Sequence, residues 1–216
     1  MQESTLRTTE IFYSLQGEAR TQGLPTVFIR LTGCPLRCVY CDTAYAFSGG
    51  EVRSLGDILE QVAAFGAGYV TVTGGEPLAQ PNCLELLAAL CDAGYQVSLE
   101  TSGALPITGV DARVSVVLDL KTPDSGEMQR NDYGNIPLLK PVDQVKFVIC
   151  SRGDYEWSRM QVDSQRLHER VDDILFSPSF GVVEPAHLAQ WILADKLRVR
   201  MQLQLHKQLW QDEPGH

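Results

Sequence analysis

The chain has 216 residues, 44% of them hydrophobic and 21% charged, with a formal net charge of −9, and these values predict one globular domain over residues 1–216. Scattered Lys and Arg disfavour a nucleic-acid partner, which needs a clustered basic face, and no apolar run reaches the roughly 18 residues of a membrane span. Without a secretory signal pattern, the chain is expected to be cytoplasmic, with its six cysteines reduced and a small molecule as its substrate.

Strand and helix patterns alternate along the chain, although we assign no element before residue 26. β-Branched and aromatic residues at 26–31 predict the first strand. Ser54 and Asp57 predict the N-terminus of the first helix, and Asn82 predicts the cap of the second. The full predicted order is strand 26–31, helix 54–66, strand 69–73, helix 82–94, strands 95–99, 114–118 and Gln144–Ile149, helix 154–168, strand 174–176, helix Pro185–Ala194 and strand 198–205.

This alternation predicts an α/β fold, in which parallel strands are joined by right-handed crossovers. No segment has the composition of a linker between two domains. About six or seven strands fit this length, so an incomplete (β/α) barrel is a better prediction than a full eightfold barrel.

Polar clusters follow most of the predicted strands, at the point where each strand ends. In parallel α/β folds these carboxyl ends share one rim, where ligands bind. We therefore expect one cavity mouth to be formed by Cys34, residues 74–76, 100–103, 119–121 and 177–179, and His206 at the end of the last strand.

Cys34, Cys38 and Cys41 lie on one loop, in the sequence Cys-Pro-Leu-Arg-Cys-Val-Tyr-Cys. A structural zinc site or an ordinary electron-transfer cluster would need a fourth ligand, and no second cysteine pair or nearby histidine supplies one. Three thiolates leave one iron of a [4Fe–4S] cluster open to the amino and carboxylate groups of S-adenosylmethionine (SAM). Reduction by the cluster would release methionine and a 5′-deoxyadenosyl radical. Three buried cysteines, or zinc with an unrecognised fourth ligand, are the alternatives.

This loop, with Tyr40 before its third cysteine, resembles the cluster motif of the radical SAM superfamily. Gly74-Gly75-Glu76-Pro77 resembles the Gly-Gly-Glu motif of the same superfamily. Glycines let the backbone approach a ligand closely, and Glu76 can accept hydrogen bonds from the SAM ammonium group. The resemblance implies an incomplete (β/α) barrel of the radical SAM type.

Further segments resemble one family in that superfamily, the 7-carboxy-7-deazaguanine synthases of queuosine biosynthesis. The resemblance extends from about Thr9 to Trp210, and it rests on residues 14–18, Arg30, Cys41-Asp42-Thr43, residues 100–103 and residues 204–207. It implies a carbon–nitrogen lyase that converts 6-carboxy-5,6,7,8-tetrahydropterin into 7-carboxy-7-deazaguanine and ammonia. In this reaction a radical takes hydrogen from C6, the ring contracts, and the hydrogen returns to regenerate SAM.

The same resemblance gives roles to single residues, with no catalytic side chain assigned because the radical derives from SAM. Cys34, Cys38 and Cys41 would bind the [4Fe–4S] cluster, and Thr43 would bind Mg²⁺. The implied SAM contacts are Tyr40, Cys41, Asp42, Glu76, Gly103, Asp119, Leu120, Lys121, Ser177, Pro178 and Ser179. The implied substrate contacts are Leu15, Gln16, Gly17, Glu18, Arg30, Thr101 and His206.

The implied substrate contacts are chemically reasonable, because side-chain amide, carboxylate and hydroxyl groups such as those of Gln16, Glu18 and Thr101 match the hydrogen-bond donors and acceptors of a pterin. Arg30 can bind the substrate carboxylate through two parallel hydrogen bonds. Simpler interpretations exist: Arg30 could be a surface strand residue, Thr101 a strand-end hydroxyl and His206 a packing residue, while Asp119 and Lys121 could simply pair.

The chain departs from the family pattern in two places. Asp119-Leu120-Lys121 stands where the family often has Ser-Pro-Lys, and residues 211–216 match no pattern. A glycyl-radical-enzyme activase and a non-catalytic zinc or iron–sulfur module are the alternative functions. The resemblance also implies a homodimer and an external one-electron donor of the flavodoxin or ferredoxin type.

Overall fold

A computed structural model of the protein describes residues 4–211, 213 and 215. The strands of this part of the chain are β1 (Thr5–Leu15), β2 (Pro25–Leu31), β3 (Glu51–Ser54), β4 (Tyr69–Gly74), β5 (Gln96–Thr101), β6 (Ser115–Asp119), β7 (Gln144–Ile149), β8 (Asp173–Pro178) and β9 (Arg200–Met201). The α-helices are α1 (Leu55–Ala64), α2 (Cys83–Asp92), α3 (Arg152–Ser164), α4 (Pro185–Ala194) and α5 (Leu205–Trp210).

The strands form one sheet in the order β3-β1-β2-β4-β5-β6-β7-β8-β9. From β2 to β9 all neighbours in this order are parallel, whereas β1 is antiparallel to both β2 and β3. Within the described strands no ladder joins β9 to the other edge of the sheet. The predicted α/β fold with an incomplete (β/α) barrel is therefore confirmed.

Side chains of the parallel strands alternate between an apolar outer face and a polar inner face. In β4, Val70 and Val72 pack against α1 and α2, whereas Thr71 and Thr73 point to the other side of the sheet. The same period of two places the outer-face residues of β6 and β7 in a second core with α3 and α4. A parallel strand buried on both faces is usually apolar throughout, so the polar positions indicate an internal cavity.

Two predicted helix caps have different outcomes. Ser54 and Asp57 form the predicted capping box of α1, in which each side chain accepts a hydrogen bond from the backbone of the other. Asn82 occupies the cap position of α2, but its side chain makes no capping hydrogen bond and instead donates to the carbonyl of Thr5 at 2.9 Å. The predicted position of the cap is therefore confirmed, whereas the side-chain amide joins α2 to β1 and does not bond to the helix backbone.

The first three strands include two that the sequence analysis did not assign. β1 lies between β2 and β3, and it alternates weakly because many of its side chains are half-buried. β3 has only four residues and pairs with β1 alone. Neither strand has the strong apolar pattern that identified β4 or β7, because most of their side chains are half-buried or exposed.

Two predicted elements end earlier than expected. The helix predicted over 154–168 is α3, which stops at Ser164, because Arg166 adopts a left-handed backbone conformation with φ of 52°. The strand predicted over 198–205 has only two residues, Arg200 and Met201. His206 therefore lies in the first turn of α5, and the expectation that it ends a strand is wrong.

No helix in the described part of the chain is long and apolar enough to cross a membrane. The tail over 211–216, for which the sequence suggested no role, lies partly outside the described residues.

Candidate active site

A cavity of about 550 Å³ extends from the carboxyl ends of the strands into the barrel. It brings together most of the residues that the sequence analysis had selected. Those that line it are Leu15, Gln16, Gly17, Glu18, Arg30, Cys34, Cys38, Tyr40, Cys41, Asp42, Thr43, Thr101, Asp119, Lys121, Ser179 and His206. The selected residues outside its lining are Glu76, Gly103, Leu120, Ser177 and Pro178.

The cysteine loop follows β2 and presents three half-buried thiols to the cavity. Backbone hydrogen bonds hold this loop. The N–H of Cys41 donates to the carbonyl of Cys38 at 3.2 Å, and the N–H of Val39 donates to the carbonyl of Ser125 at 3.0 Å. Burial raises the pKa of Cys38 to about 11, so a bound metal would have to displace its proton. This set of three thiols fits a [4Fe–4S] cluster with one open iron.

The glycines of the Gly-Gly-Glu motif pack directly against the backbone that carries Cys34. A Cβ on Gly74 would lie 2.3 Å from the carbonyl oxygen of Leu31, and one on Gly75 would lie 2.3 Å from that of Gly33 and 2.7 Å from the Cβ of Cys34. Only glycine fits at these distances, so the motif fixes the start of the cysteine loop. The N–H of Glu76 donates to the carbonyl of Gly33 at 2.8 Å and completes this contact.

Glu76 has a fully buried carboxylate that holds the turn after β5. It accepts hydrogen bonds from Thr101 Oγ1 at 2.9 and 3.0 Å and from the N–H of Ser102 at 2.7 Å. Thr101 thus lines the cavity, and its hydroxyl is oriented by Glu76, which lies outside the cavity lining. The predicted contact between Glu76 and the SAM ammonium group stays a prediction, because this carboxylate lies behind the lining of the cavity.

Asp119, Lys121 and Tyr40 form a buried group beside the cysteines. Lys121 Nζ lies 2.9 Å from Asp119 Oδ2 and 5.7 Å from the centre of the Tyr40 ring, so the simple pairing of Asp119 with Lys121 is present. Asp119 Oδ1 and the Tyr40 hydroxyl are buried, and neither has a hydrogen-bond partner among the described residues. Because such atoms are costly in a protein interior, they fit a polar ligand such as SAM, whose hydroxyl and ammonium groups can donate to them.

Glu18 and Lys146 form an ion pair inside the barrel, with side-chain exposures of 10% and 12%. Gln204 Nε2 donates to the other carboxylate oxygen at 2.7 Å. Burial acts to raise the pKa of Glu18, but Lys146, His206 and Gln204 outweigh it and lower this pKa. Glu18 is therefore ionised in the cavity, and Lys146, on β7, is its main partner.

Gln16 and Glu100 are joined in a network on the inner faces of β4 and β5. Gln16 Nε2 donates to Thr71 Oγ1 at 3.0 Å and to Glu100 Oε1 at 3.3 Å, and its Oε1 accepts from the N–H of Glu18 at 3.1 Å. Thr73 donates to the other oxygen of Glu100 at 3.2 Å. Burial and the nearby Glu18 raise the pKa of Glu100 against the effects of Lys146 and Arg30. The neighbouring carboxyl groups of Glu18 and Glu100 thus have pKa values shifted in opposite directions.

Arg30 lies on β2 and faces the cavity, so it is not a surface residue. Its Nε donates to Glu10 Oε1 at 2.6 Å, an oxygen that also accepts from the Tyr45 hydroxyl at 2.7 Å. The guanidinium carbon is 5.7 Å from the centre of the Phe12 ring. The contact with Glu10 uses one of the five N–H donors of the guanidinium group. The group therefore keeps donors for a ligand carboxylate.

Asp42 and Thr43 follow the third cysteine and offer oxygen atoms to the cavity. Thr43 Oγ1 donates to Asp42 Oδ1 at 2.8 Å, and Lys207 Nζ lies 3.2 Å from Asp42 Oδ2. Although partial burial acts to raise it, Lys207 and Thr43 lower the pKa of Asp42. A carboxylate and a hydroxyl side by side are the type of ligand that Mg²⁺ prefers.

His206 packs against Gly17, which explains the need for glycine in the segment that follows β1. A Cβ on Gly17 would lie 2.0 Å from His206 Nδ1. The N–H of Leu205 also donates to the carbonyl of Gly17 at 2.9 Å. Burial lowers the pKa of His206, although Glu18 partly opposes this effect. The ring thus has a packing role and also lines the cavity.

Several residues that line this cavity had no role predicted from the sequence. Lys146 and Thr73 line the cavity but were not selected, whereas Glu100 and Lys207 lay in the selected segments 100–103 and 204–207 without a role of their own. Lys146 interrupts the apolar residues of β7 and Thr73 alternates with valines in β4, and this pattern could have marked both as inner-face positions. Lys207 carried no such signal, because its place depends on the position of α5.

Comparisons with known proteins agree with this geometry. The family model of the radical SAM superfamily matches residues 28–125. A 7-carboxy-7-deazaguanine synthase from Chlorobaculum tepidum is 45% identical over 211 residues, which cover 96% of this chain and 96% of the relative. The chain belongs to the 7-carboxy-7-deazaguanine synthase family. A second member of the family, from Koribacter versatilis, is 40% identical over 222 residues, which cover 96% of this chain and 98% of the relative.

Structural comparison supports the same fold. The crystal structure of QueE from Escherichia coli matches with a TM-score of 0.74 and 23% identity, over 94% of this chain and 95% of that chain. As a 7-carboxy-7-deazaguanine synthase family member, the chain is a radical SAM lyase that contracts the pterin ring in queuosine biosynthesis. The relatives do not favour the alternative of a glycyl-radical-enzyme activase.

Gly75→Ala tests whether the Gly-Gly-Glu motif fixes the cysteine loop. The new Cβ must displace the backbone of Gly33, so we expect destabilisation by about 1–3 kcal/mol and less iron bound per chain after anaerobic reconstitution. Gly68→Ala is the matched control, since a Cβ at Gly68 meets nothing within 4 Å. Equal iron contents in the two variants would contradict this role of the motif.

Lys146→Met tests the buried ion pair of the cavity. Removing one partner leaves an unpaired buried carboxylate, so we expect a loss of about 3–5 kcal/mol in urea unfolding, most of it restored by adding Glu18→Gln. The control Lys196→Met, at an exposed site, should change stability by less than about 0.5 kcal/mol.

The same variant has a defined pH dependence. In the wild type Lys146 keeps the pKa of Glu18 below its ordinary value of 4.5. The pair therefore stabilises the fold above that pH, and its contribution is lost as the pH falls through the lowered pKa. The stability gap between Lys146→Met and the wild type should be widest near neutral pH and narrow in acid. A gap that does not change with pH would contradict the pairing.

Proposed function

We propose that the cavity binds SAM beside the three cysteines and 6-carboxy-5,6,7,8-tetrahydropterin at its inner end, where the chain catalyses formation of 7-carboxy-7-deazaguanine and ammonia. The observation that carries this proposal is that one cavity contains both a three-thiol loop and, on its other walls, Arg30, Glu18 and Gln16. This arrangement would bring a SAM-derived radical and a pterin together within one enclosed space.

A [4Fe–4S] cluster and SAM, when bound, would supply a carbon-centred radical able to remove hydrogen from the substrate. Cys34, Cys38 and Cys41 would hold the cluster. Tyr40, Asp42, Asp119, Lys121 and Ser179 would contact SAM, since they line the cavity near the cysteine loop or the adjacent strand ends. Glu76, Gly103, Leu120, Ser177 and Pro178 remain predicted SAM contacts.

The substrate would be recognised mainly by charge and hydrogen bonding. Arg30 would donate two parallel hydrogen bonds to the pterin carboxylate, because only its Nε is used by Glu10 in the contacts described above. The ionised Glu18 would accept from the amino and amide groups of the ring. Phe12 and Phe28, stacked with ring centres 4.9 Å apart, form an apolar wall of the same cavity.

The remaining predicted substrate contacts would surround Arg30 and Glu18. Gln16 and Thr101 are already oriented by hydrogen bonds to Glu100 and Glu76, so they would present polar groups in fixed positions. Leu15, Gly17 and His206 would shape the inner end of the cavity. Because these groups are held before the substrate arrives, little side-chain entropy would be lost on binding.

We also propose that Mg²⁺ takes part, bound by the Thr43 hydroxyl and by oxygens of the substrate. The hydrogen bond between Thr43 and Asp42 places two oxygens together at the cavity wall. Mg²⁺ usually keeps several waters and needs few protein ligands, which fits this sparse set.

Further properties are proposed from the family resemblance. They are a single domain over residues 1–216, a homodimer, a cytoplasmic location, an external one-electron donor of the flavodoxin or ferredoxin type, and no nucleic-acid partner. The net charge of −9 supports the last of these, because a phosphate backbone would be repelled.

Anaerobic assay with the carboxytetrahydropterin, SAM, Mg²⁺ and a reductant tests the proposed reaction. We expect 7-carboxy-7-deazaguanine by mass spectrometry, without net consumption of SAM. Cys38→Ala should abolish both product and deoxyadenosine, because two thiolates do not hold the cluster. Cys91→Ala, which removes a buried core thiol of α2 that does not line the cavity, is the control and should keep activity. Absence of product from reconstituted wild type would refute the proposed function.

Thr43→Ala tests the Mg²⁺ site. Loss of the hydroxyl should raise the Mg²⁺ concentration needed for half-maximal activity by about tenfold, the equivalent of about 1.4 kcal/mol. Thr43→Ser, which keeps the hydroxyl, should restore the wild-type titration. Identical Mg²⁺ titration curves for the wild type and Thr43→Ala would remove this residue from the proposed site.

A further inference from the structure

The loop that joins β1 to β2, residues 16–24, reaches across the open side of the barrel to its last strands. The carbonyl of Gly17 accepts from the N–H of Leu205, and Gln22 Nε2 donates to the carbonyl of Leu203 at 2.7 Å. Arg20 Nε lies 2.7 Å from Asp173 Oδ2 at the start of β8. These contacts join the first strands to the last where no described ladder closes the sheet.

Gln202 makes the most complete of these connections. Its Oε1 accepts from the N–H of Ala19 at 2.7 Å, and its Nε2 donates to the carbonyl of Ala19 at 2.8 Å. One side-chain amide thus satisfies both backbone groups of one residue, as an opposing residue does in an antiparallel pair. Gln202 is 4% exposed and Ala19 is 2% exposed, so water does not replace these bonds.

Ala19 has a backbone conformation that needs such support. Its φ is +61°, in the left-handed region that a residue with a Cβ rarely adopts. If the buried N–H or C=O of Ala19 had no hydrogen-bond partner, the free-energy cost of this conformation would be higher still. The two hydrogen bonds from Gln202 therefore hold the chain at the residue that directly follows Glu18.

We infer that Gln202 is a positioning residue for the substrate end of the cavity, through its two hydrogen bonds to Ala19. This inference rests on the proposed function, in which Glu18 binds the pterin. Gln202 is not among the residues that line the cavity, whereas Glu18 and Gln204 are. Two side chains of residues 202–204 thus hold this part of the loop: Gln202 bonds to Ala19, next to Glu18, and Gln204 bonds to the Glu18 carboxylate.

A matched control exists elsewhere in the chain. Gln80 makes the same two-point contact with the backbone of Arg7, as its Oε1 accepts from the N–H and its Nε2 donates to the carbonyl, both at 2.8 Å. This contact lies on β1 at the end remote from the loop over 16–24. Gln80→Leu therefore removes the same pair of hydrogen bonds, together with one from Gln80 Nε2 to the carbonyl of Thr32 at 2.9 Å, without acting on Glu18.

The experiment compares Gln202→Leu with Gln80→Leu in the reconstituted enzyme, with rates expressed per bound cluster. For Gln202→Leu we expect the KM for the carboxytetrahydropterin to rise about tenfold, while deoxyadenosine formation without pterin stays unchanged. Gln80→Leu should lose comparable thermal stability with no change in this KM. Gln22→Ala, an exposed change in the same loop that is expected to fold, should raise the KM in the same direction.

The outcomes separate this inference from the proposed function. An unchanged KM in both Gln202→Leu and Gln22→Ala, or an equal rise in Gln80→Leu, would overturn the positioning role. A parallel fall in pterin-free deoxyadenosine formation would also overturn it, because the effect would then be structural. Failure of the wild type to form 7-carboxy-7-deazaguanine would instead count against the proposed function.

Discussion

An ionised side chain inside a protein is stable only with a charged or hydrogen-bonded partner, and the interior of this barrel is built around that constraint. Glu18 is paired with Lys146, Asp119 with Lys121 and Arg30 with Glu10. Glu100, close to Glu18, forms no ion pair with the described residues, and burial and Glu18 raise its pKa. A ligand that enters the cavity meets side chains already fixed by these pairs, so its own charges and hydrogen bonds must fit the pattern that remains.

Different kinds of contact fix the structure at the two ends of the cavity. At the cysteine end the contacts are between backbones, since Gly74 and Gly75 leave no space for a side chain beside Leu31 and Gly33. At the inner end the contacts are between side chains, such as those from Lys146 and Gln204 to Glu18. The backbone contacts fix the position of the cysteine loop whatever the substrate is. The side chains at the inner end, by contrast, can select one substrate.

The sequence predicted the parts of the fold that follow from strong local patterns. β4 and β7 were found because apolar residues mark a strand packed under helices, and the cysteine loop was found because its spacing allows few other uses. The last strand was predicted over 198–205, but the short length of β9 could not be predicted, because Gln202 and Gln204 follow an alternating strand pattern while their side chains bond to the loop over 16–24. The role of Lys146 was missed for a related reason, since one lysine in an apolar strand indicates an inner-face position but does not indicate its partner, Glu18, which lies far away in the sequence.

An incomplete barrel must be closed on its open side if radical chemistry within it is to be protected from water. In this protein the closing segment is also the one that carries Gln16, Gly17 and Glu18, so closure depends on the same residues that we propose as substrate contacts. The contacts of Gly17 with His206 and of Ala19 with Gln202 tie that segment to the C-terminal part of the chain. The loop over 16–24 and residues 202–206 therefore have to be in place together for the inner end of the cavity, our proposed substrate site, to form.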